Sequence, residues 1–306
     1  MKTIASIGEC MIELSEAGQG LMRRGFGGDT LNTAVYLRRE LAPAEARVAY
    51  VTALGDDAYS DELLAGWQAE GVDVSEVARL PGRLPGLYAI RTTANGERSF
   101  AYWRNEAAAR SVFAGSEGSA RLERLGDKDL VYFSGISLAI LPTEDRDRLL
   151  ARLAAMRDGG KAIAFDPNFR PRLWPDLDEA RHVMSRAASL ATIVLPSFAD
   201  EQTLFGDPEP TATLDRLHAL GAQEVIVKDG EAPIHFRADG EQFEALPVRV
   251  TDPVDTTGAG DSFNAAYLAA RLRGQAIPQA VDAGSRLAAL VVRHRGAIIP
   301  KDARLF

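Results

Sequence analysis

Asp255-Thr256-Thr257-Gly258-Ala259-Gly260-Asp261-Ser262-Phe263-Asn264-Ala265-Ala266 is a turn of small residues that runs directly into an apolar helix. Glycine lets a backbone approach a ligand closely, because no Cβ intervenes. A helix start adds unpaired N–H groups and about half a positive charge. Together these make a cradle for phosphate or for a developing oxyanion. Asp261, in the first turn, is placed to take a proton from an attacking hydroxyl, and the helix dipole is expected to hold it ionised. The alternative for the same residues is a capped helix behind a tight turn, since Asp is common at helix starts.

Upstream of this turn, short apolar runs alternate with helical patterns. The expected strands are Thr3–Ile7, Val48–Val51, Leu130–Phe133, Ala162–Phe165, Ile193–Leu195 and Val225–Val227. The expected helices are Thr30–Leu41, Ser60–Glu70, Thr143–Arg157, Leu177–Ser189 and Thr213–Leu220, followed by about Ala259–Arg273 and Pro278–His294. Such βαβα alternation predicts an α/β fold, a mostly parallel sheet with helices on both faces. Two stretches break the pattern. Cys10–Phe26 has no helical period. Gly86–Arg104 reads as two alternating arms around Asn95-Gly96, a type I′ hairpin signal. A hairpin inside an α/β chain suggests a small separate sheet placed as a lid, or else an edge hairpin with no such role. The expected organisation is one α/β domain over 1–306, with a β lid from about 10–26 and 84–105.

A second glycine pair, Gly27-Gly28-Asp29-Thr30-Leu31-Asn32, also precedes a helix. Each pair alone is consistent with a capped helix; two in one chain favour a site for two substrates. No Gly-x-x-x-x-Gly-Lys-Ser/Thr occurs, and no Gly-x-Gly-x-x-Gly follows the first strand, so P-loop and dinucleotide-binding readings are set aside. No Gly-x-Ser-x-Gly elbow is present either.

Composition narrows the class further. The 306 residues exceed the ~250–300 at which single cores stop growing, so a domain with an appendage is expected. The net charge of −8 argues against nucleic-acid or anionic-membrane partners, and anionic substrates would need local cations. A single cysteine, Cys10, excludes an internal disulfide, and His182, His218, His235 and His294 have no zinc-ligand spacing. No run of about 18 apolar residues and no leader pattern is seen, so a cytoplasmic protein is expected.

These residues resemble the ribokinase-like (PfkB) carbohydrate kinases over essentially the whole chain. The resemblance rests on the Gly258–Asp261 helix start, on Gly27-Gly28 with Asn32, and on Val51-Thr52-Ala53-Leu54-Gly55-Asp56-Asp57. Phe26–Asn32, Arg83–Tyr88, Tyr102–Ala108, Ser134–Ser137, Asp166–Pro171 and Arg295–Pro300 extend it to the 2-keto-3-deoxygluconate kinases. The resemblance implies a doubly wound sheet with a β lid that often pairs two subunits, giving a homo-oligomer. It implies ATP-dependent phosphorylation of the sugar acid's terminal hydroxyl, a step of uronate and gluconate breakdown. Asp261 would be the base, with the backbone of Gly258, Ala259 and Gly260 facing the phosphoryl group. Gly28, Asp29, Thr30, Leu31, Asn32, Tyr88, Tyr102, Trp103, Arg104 and Arg170 would hold the substrate. Asn168, Phe169, Arg170, Lys228, Asp229 and Gly230 would hold ATP together with the glycine turn.

A carboxylate substrate calls for an arginine fork. Arg104 is the candidate, its alternative being a solvated strand-end charge. For Tyr88 and Tyr102 the alternative is packing. Magnesium is implied, with Asp200 or Glu201 as ligand; Ser197 stands where many relatives have asparagine. A monovalent cation is left open. The rivals are a fructose, ribose or nucleoside kinase, and a non-catalytic sugar sensor on the same fold.

Overall fold

The computed structural model describes residues 1–92, 98–238 and 240–303, so the turn expected at Asn95-Gly96 lies outside the described residues. In chain order the strands are β1 (Lys2–Ile7), β2 (Met11–Gly18), β3 (Leu21–Gly27), β4 (Ala46–Leu54), β5 (Val77–Arg79), β6 (Leu87–Thr92), β7 (Arg98–Trp103), β8 (Leu130–Ser134), β9 (Ala162–Asp166), β10 (Ile193–Val194), β11 (Glu224–Val227), β12 (Ile234–Ala238) and β13 (Glu241–Ala245). The helices are α1 (Asp29–Glu40), α2 (Ala58–Ala69), α3 (Gly115–Arg124), α4 (Gly135–Ile140), α5 (Thr143–Asp158), α6 (Leu177–Leu190), α7 (Phe198–Phe205), α8 (Pro210–Ala219), α9 (Ala259–Leu272) and α10 (Ile277–Val291).

Nine strands form one sheet in the order β13-β12-β11-β10-β9-β8-β1-β4-β5. From β5 to β11 every pairing is parallel; β12 and β13 close the far edge antiparallel. All six expected strands fall in the parallel part. Their side chains are apolar on both faces because helices cover both faces. On one side Phe133, Phe165, Leu149, Leu153, Val183 and Leu217 make a core under α5, α6 and α8. On the other, Tyr36, Tyr50, Trp67, Phe263 and Tyr267 pack with α1, α2, α9 and α10. The expected helices all occur. Sequence reading omits α3, α4, α7, β5, β12 and β13. These are short, and β13 (Glu-Gln-Phe-Glu-Ala) is mostly exposed and carries no apolar alternation to read.

The aperiodic stretch 10–26 contains β2 and β3. With β6 and β7 they form a second sheet, in the order β3-β2-β6-β7. Its register sets Gly25, Glu13, Tyr88 and Tyr102 in one row across four strands, and hence on one face. In the large sheet the chain runs outward from β1 to β4 and β5, then returns to place β8 on the other side of β1. Open α/β sheets bind ligands at the carboxyl ends of strands beside such a reversal. Among the described residues no helix is long and apolar enough to cross a membrane.

Candidate active site

Two glycine-led helix starts meet at the carboxyl ends of the strands. Gly258, before α9, has φ +78°, a conformation that disfavours side chains. A Cβ there would also fall 2.9 Å from Ala297. The turn is braced by Asp255, whose carboxylate accepts from Thr257 N at 3.0 Å, Thr257 Oγ1 at 2.6 Å and Gly296 N at 3.1 Å. Gly28, before α1, is in ordinary extended backbone, but a Cβ there would run into the Glu9 carbonyl and the Cys10 Cα. One turn into α1, Asn32 donates to the Asp261 carboxylate at 2.8 Å, and Thr33 Oγ1 donates to the Asp261 carbonyl at 3.2 Å. Each helix start therefore fixes the other.

Behind Asp261 lies a buried polar cluster. Asp166, at the end of β9, accepts from Asn264 Nδ2 at 2.8 Å and from Asn168 N at 3.2 Å. Lys228, following β11, donates to Asn264 Oδ1 at 2.8 Å and stands 4.0 Å from Asp166. A Cβ on Gly260 would lie 3.8 Å from Lys228 Nζ, so the ammonium sits beside the glycine turn. This is the local cation that an acidic protein needs to receive an anion. Asn168, with φ +35°, sends its amide to the Asp29 carboxylate at 2.8 Å. Asp166, Asn264 and Tyr132 were not among the expected site residues. Asn264 was discoverable, since it lies three positions after Asp261 and shares its helix face.

The Asp261 carboxyl is pushed up to about 8. Burial is the largest cause and the Asp29 charge the next; the Asn32 hydrogen bond and Lys228 oppose them. The expectation that the helix dipole keeps Asp261 firmly ionised is therefore corrected. A helix start is worth about 0.3–1 kcal/mol, less than desolvation beside a like charge. A carboxyl poised near neutrality is the outcome, the range that suits proton transfer. Burial likewise raises Asp166, against the pull of Lys228.

The four-stranded sheet supplies the other wall. Tyr88 donates to Glu13, and its ring stacks on Tyr102 with centroids 5.9 Å apart. Tyr102 and Trp103 are exposed. Arg104 is not the solvated strand-end charge considered as its alternative: it is buried and ion-paired to buried Glu9. Arg170 is half exposed, donates to the Phe169 carbonyl at 2.8 Å and stands 3.5 Å from Asp200. Asp200 also accepts from Phe169 N at 3.2 Å. Asp229 and Gly230 form the turn after Lys228, closed by Ala232 N on the Asp229 carbonyl at 2.9 Å.

Four expected site residues are directed away from this cleft. Leu31 and Phe169 are core side chains, in the apolar clusters on opposite faces of the sheet. The Thr30 hydroxyl pairs with Tyr50 at 3.3 Å inside the core. Glu201 is buried against Arg216 at 2.6 Å, so of the two metal candidates only Asp200 faces Arg170. A fifth, Ala259, spends its N–H on the Thr256 carbonyl at 3.3 Å, leaving the backbone of Gly258 and Gly260 for a ligand.

The chain belongs to the pfkB family of carbohydrate kinases, whose family model matches residues 1–304. Within that class it is 46% identical to the 2-dehydro-3-deoxygluconokinase of Dickeya dadantii (strain 3937), over 99% of this chain and 98% of that one. It is 45% identical to the protein of the same name from Escherichia coli (strain K12), with the same coverage. Among solved structures, aminoimidazole riboside kinase from Salmonella enterica, complexed with aminoimidazole riboside and an ATP analog, superposes with a TM-score of 0.81. It is 25% identical, over 97% of this chain and 95% of that one.

Proposed function

We propose that the protein transfers the γ-phosphoryl group of ATP to the terminal hydroxyl of 2-keto-3-deoxygluconate, giving the 6-phosphate. The observation that carries this reading is the Asn32–Asp261 hydrogen bond. It joins the helix start suited to phosphate to the one facing the four-stranded sheet, and places a carboxylate between them. Asp261 accepts the proton of the attacking hydroxyl. The N–H groups of Gly258 and Gly260, with the Lys228 ammonium, stabilise the charge on the transferred group. Phosphoryl transfer asks mainly for such positioning and charge stabilisation. Lys228, Asp229, Gly230, Asn168 and Arg170 line the nucleotide side. Gly28, Asn32, Tyr88, Tyr102 and Arg104 line the sugar-acid side, where the Arg104 guanidinium reads the carboxylate.

Among the described residues no group of three or more His, Cys, Asp or Glu side chains is arranged to hold a metal ion. Magnesium bound to a nucleotide keeps several waters and needs only one or two protein carboxylates, and Asp200 fits that requirement. The ion would neutralise phosphate charge. The four-stranded sheet exposes Leu21 and Phe100 on the face that carries Tyr102, and Met22 and Trp103 on the opposite face, apolar area suited to pairing two subunits through this sheet, which light scattering would detect. The deciding experiment measures ATP consumption with 2-keto-3-deoxygluconate, fructose, ribose and adenosine in parallel, with and without excess EDTA. Preference for the sugar acid and loss of turnover in EDTA are expected. Preference for fructose, ribose or adenosine would reject the substrate, and turnover surviving EDTA would reject the role of the metal.

A further inference from the structure

Glu9 follows β1 after a single glycine, and its side chain is 1% exposed. Its partner Arg104, just past the end of β7, is 8% exposed. Replacing a buried ion pair by apolar residues is often neutral or stabilising, so stability alone does not account for one. Two further atoms of this pair are buried and unpartnered: Glu9 Oε1 and Arg104 Nε. The pair therefore holds hydrogen-bonding capacity that the protein itself does not use. Its surroundings are built around it. A Cβ on Gly86 would lie 2.6 Å from Glu9 Oε1, and a Cβ on Gly28 would strike the Glu9 carbonyl. The charged groups facing Glu9 are Arg104, Arg110 and Asp29. Burial raises the Glu9 carboxyl above its ordinary range, while Arg104 and then Arg110 oppose the rise.

We propose that Glu9 is the positioning residue that holds Arg104 to receive the substrate carboxylate, and so sets the preference for a sugar acid over a neutral sugar. The inference rests on the sugar-acid reading above. A guanidinium is a rigid planar fork with five N–H donors. Glu9 engages one of them through Nη2. Anchoring an otherwise flexible side chain before the ligand arrives removes the ordering it would undergo on binding. The Glu9 charge also repels any anion that does not meet the guanidinium in register, which adds discrimination to affinity.

Two variants separate position from charge. Glu9→Gln keeps an oxygen at the same reach and loses the charge; Glu9→Asp keeps the charge and withdraws it by one methylene. With 2-keto-3-deoxygluconate, Glu9→Asp is expected to raise KM about tenfold or more with kcat within about threefold. Glu9→Gln is expected to stay within about threefold of wild type in KM. KM for fructose is expected to change little in either. A buried residue that merely supports the fold would shift both substrates and the melting temperature together. The inference is overturned if Glu9→Asp keeps the wild-type preference for the acid, or if acid and fructose weaken equally. If Glu9→Asp does not fold, Glu9→Ala decides: a lost preference for the acid with the fructose KM little changed supports positioning, and a retained preference overturns it. A wild-type enzyme with no preference for the acid would instead refute the substrate reading.

Discussion

The helix starts at Gly28 and Gly258 look alike in sequence, each with glycine, then an acid, then an apolar run, yet they need glycine for different reasons. Gly258 needs it for a left-handed backbone as well as for space beside Ala297. Gly28 has unremarkable backbone and needs it only because Glu9 and Cys10 pass so close. Their acids differ too. Asp29 accepts from Asn168, whereas Asp261 accepts from Asn32 and has its carboxyl pushed up to about 8. On the proposed reaction, one motif shape thus yields a wall in one place and a base in the other. The neighbours brought in by the sheet make the difference.

The contrast can be broken most directly at the two acids. Asp261→Asn should lower kcat by about 10²–10⁴-fold with substrate affinity largely kept; turnover close to wild type would remove Asp261 from the chemistry. On the sugar side, Arg104→Ala should lower kcat/KM for 2-keto-3-deoxygluconate by about ten- to a hundredfold. That follows from charge-assisted hydrogen bonds worth about 1.5–3 kcal/mol. Arg104→Lys should recover only part of this loss. An equal fall for a neutral hexose would make Arg104 a support of the sheet and not a reader of the acid.

The two glycines sharpen the comparison through stability. Gly258→Ala places a side chain at positive φ, an unfavourable change of about 1–2 kcal/mol, which predicts a melting temperature about 2–8 °C lower. At Gly28, where φ is unrestricted, the link between β1 and β2 at Glu9 and Cys10 must move to admit a methyl group. Calorimetry with saturating sugar acid should therefore recover less of the Gly28→Ala loss than of the Gly258→Ala loss, because the former distorts the sugar side itself.

The smallest effect expected is on pH. As a base Asp261 works ionised, so kcat/KM should fall as pH drops through about 8, the position of its free-enzyme carboxyl. Asp29→Asn removes the second cause of that elevation while leaving an acceptor for Asn168, so the acid limb should move to lower pH. A limb that stays in place would show that the Asp29 charge has no part in setting it. The same shift bears on stability. A carboxyl whose folded value lies above its unfolded one stabilises the protein below the unfolded value near 4. That contribution is lost as pH rises toward 8.

Much of this was legible in the chain. The parallel strands were readable because burial on both faces makes their sequences continuously apolar, and the glycine starts because only small residues tolerate them. What escaped was what long-range packing decides. Thr30 and Leu31 belong to the same helix start as Asn32, but the helical turn carries them into the core and Asn32 toward Asp261. Glu201 and Asp200 are neighbours in sequence, yet one is claimed by Arg216 and the other stays beside Arg170. Glu9 and Arg104 are 95 positions apart, and their pairing exists only once the stretch after β1 meets the end of β7.

The Asn32–Asp261 hydrogen bond spans 229 positions of chain. At ribosomal rates of about 5–20 residues per second, Asn32 is made roughly ten to fifty seconds before the residue it must hold. During that interval the N-terminal strands have only part of their sheet, since β8, which flanks β1 in space, and β9 beyond it follow β1 by more than a hundred residues. Contacts this distant slow folding. The nascent chain thus waits with its apolar strands incompletely covered. A ribosome-bound chain stopped before Asp261 should hold no catalytic centre at all, however well its first half has folded.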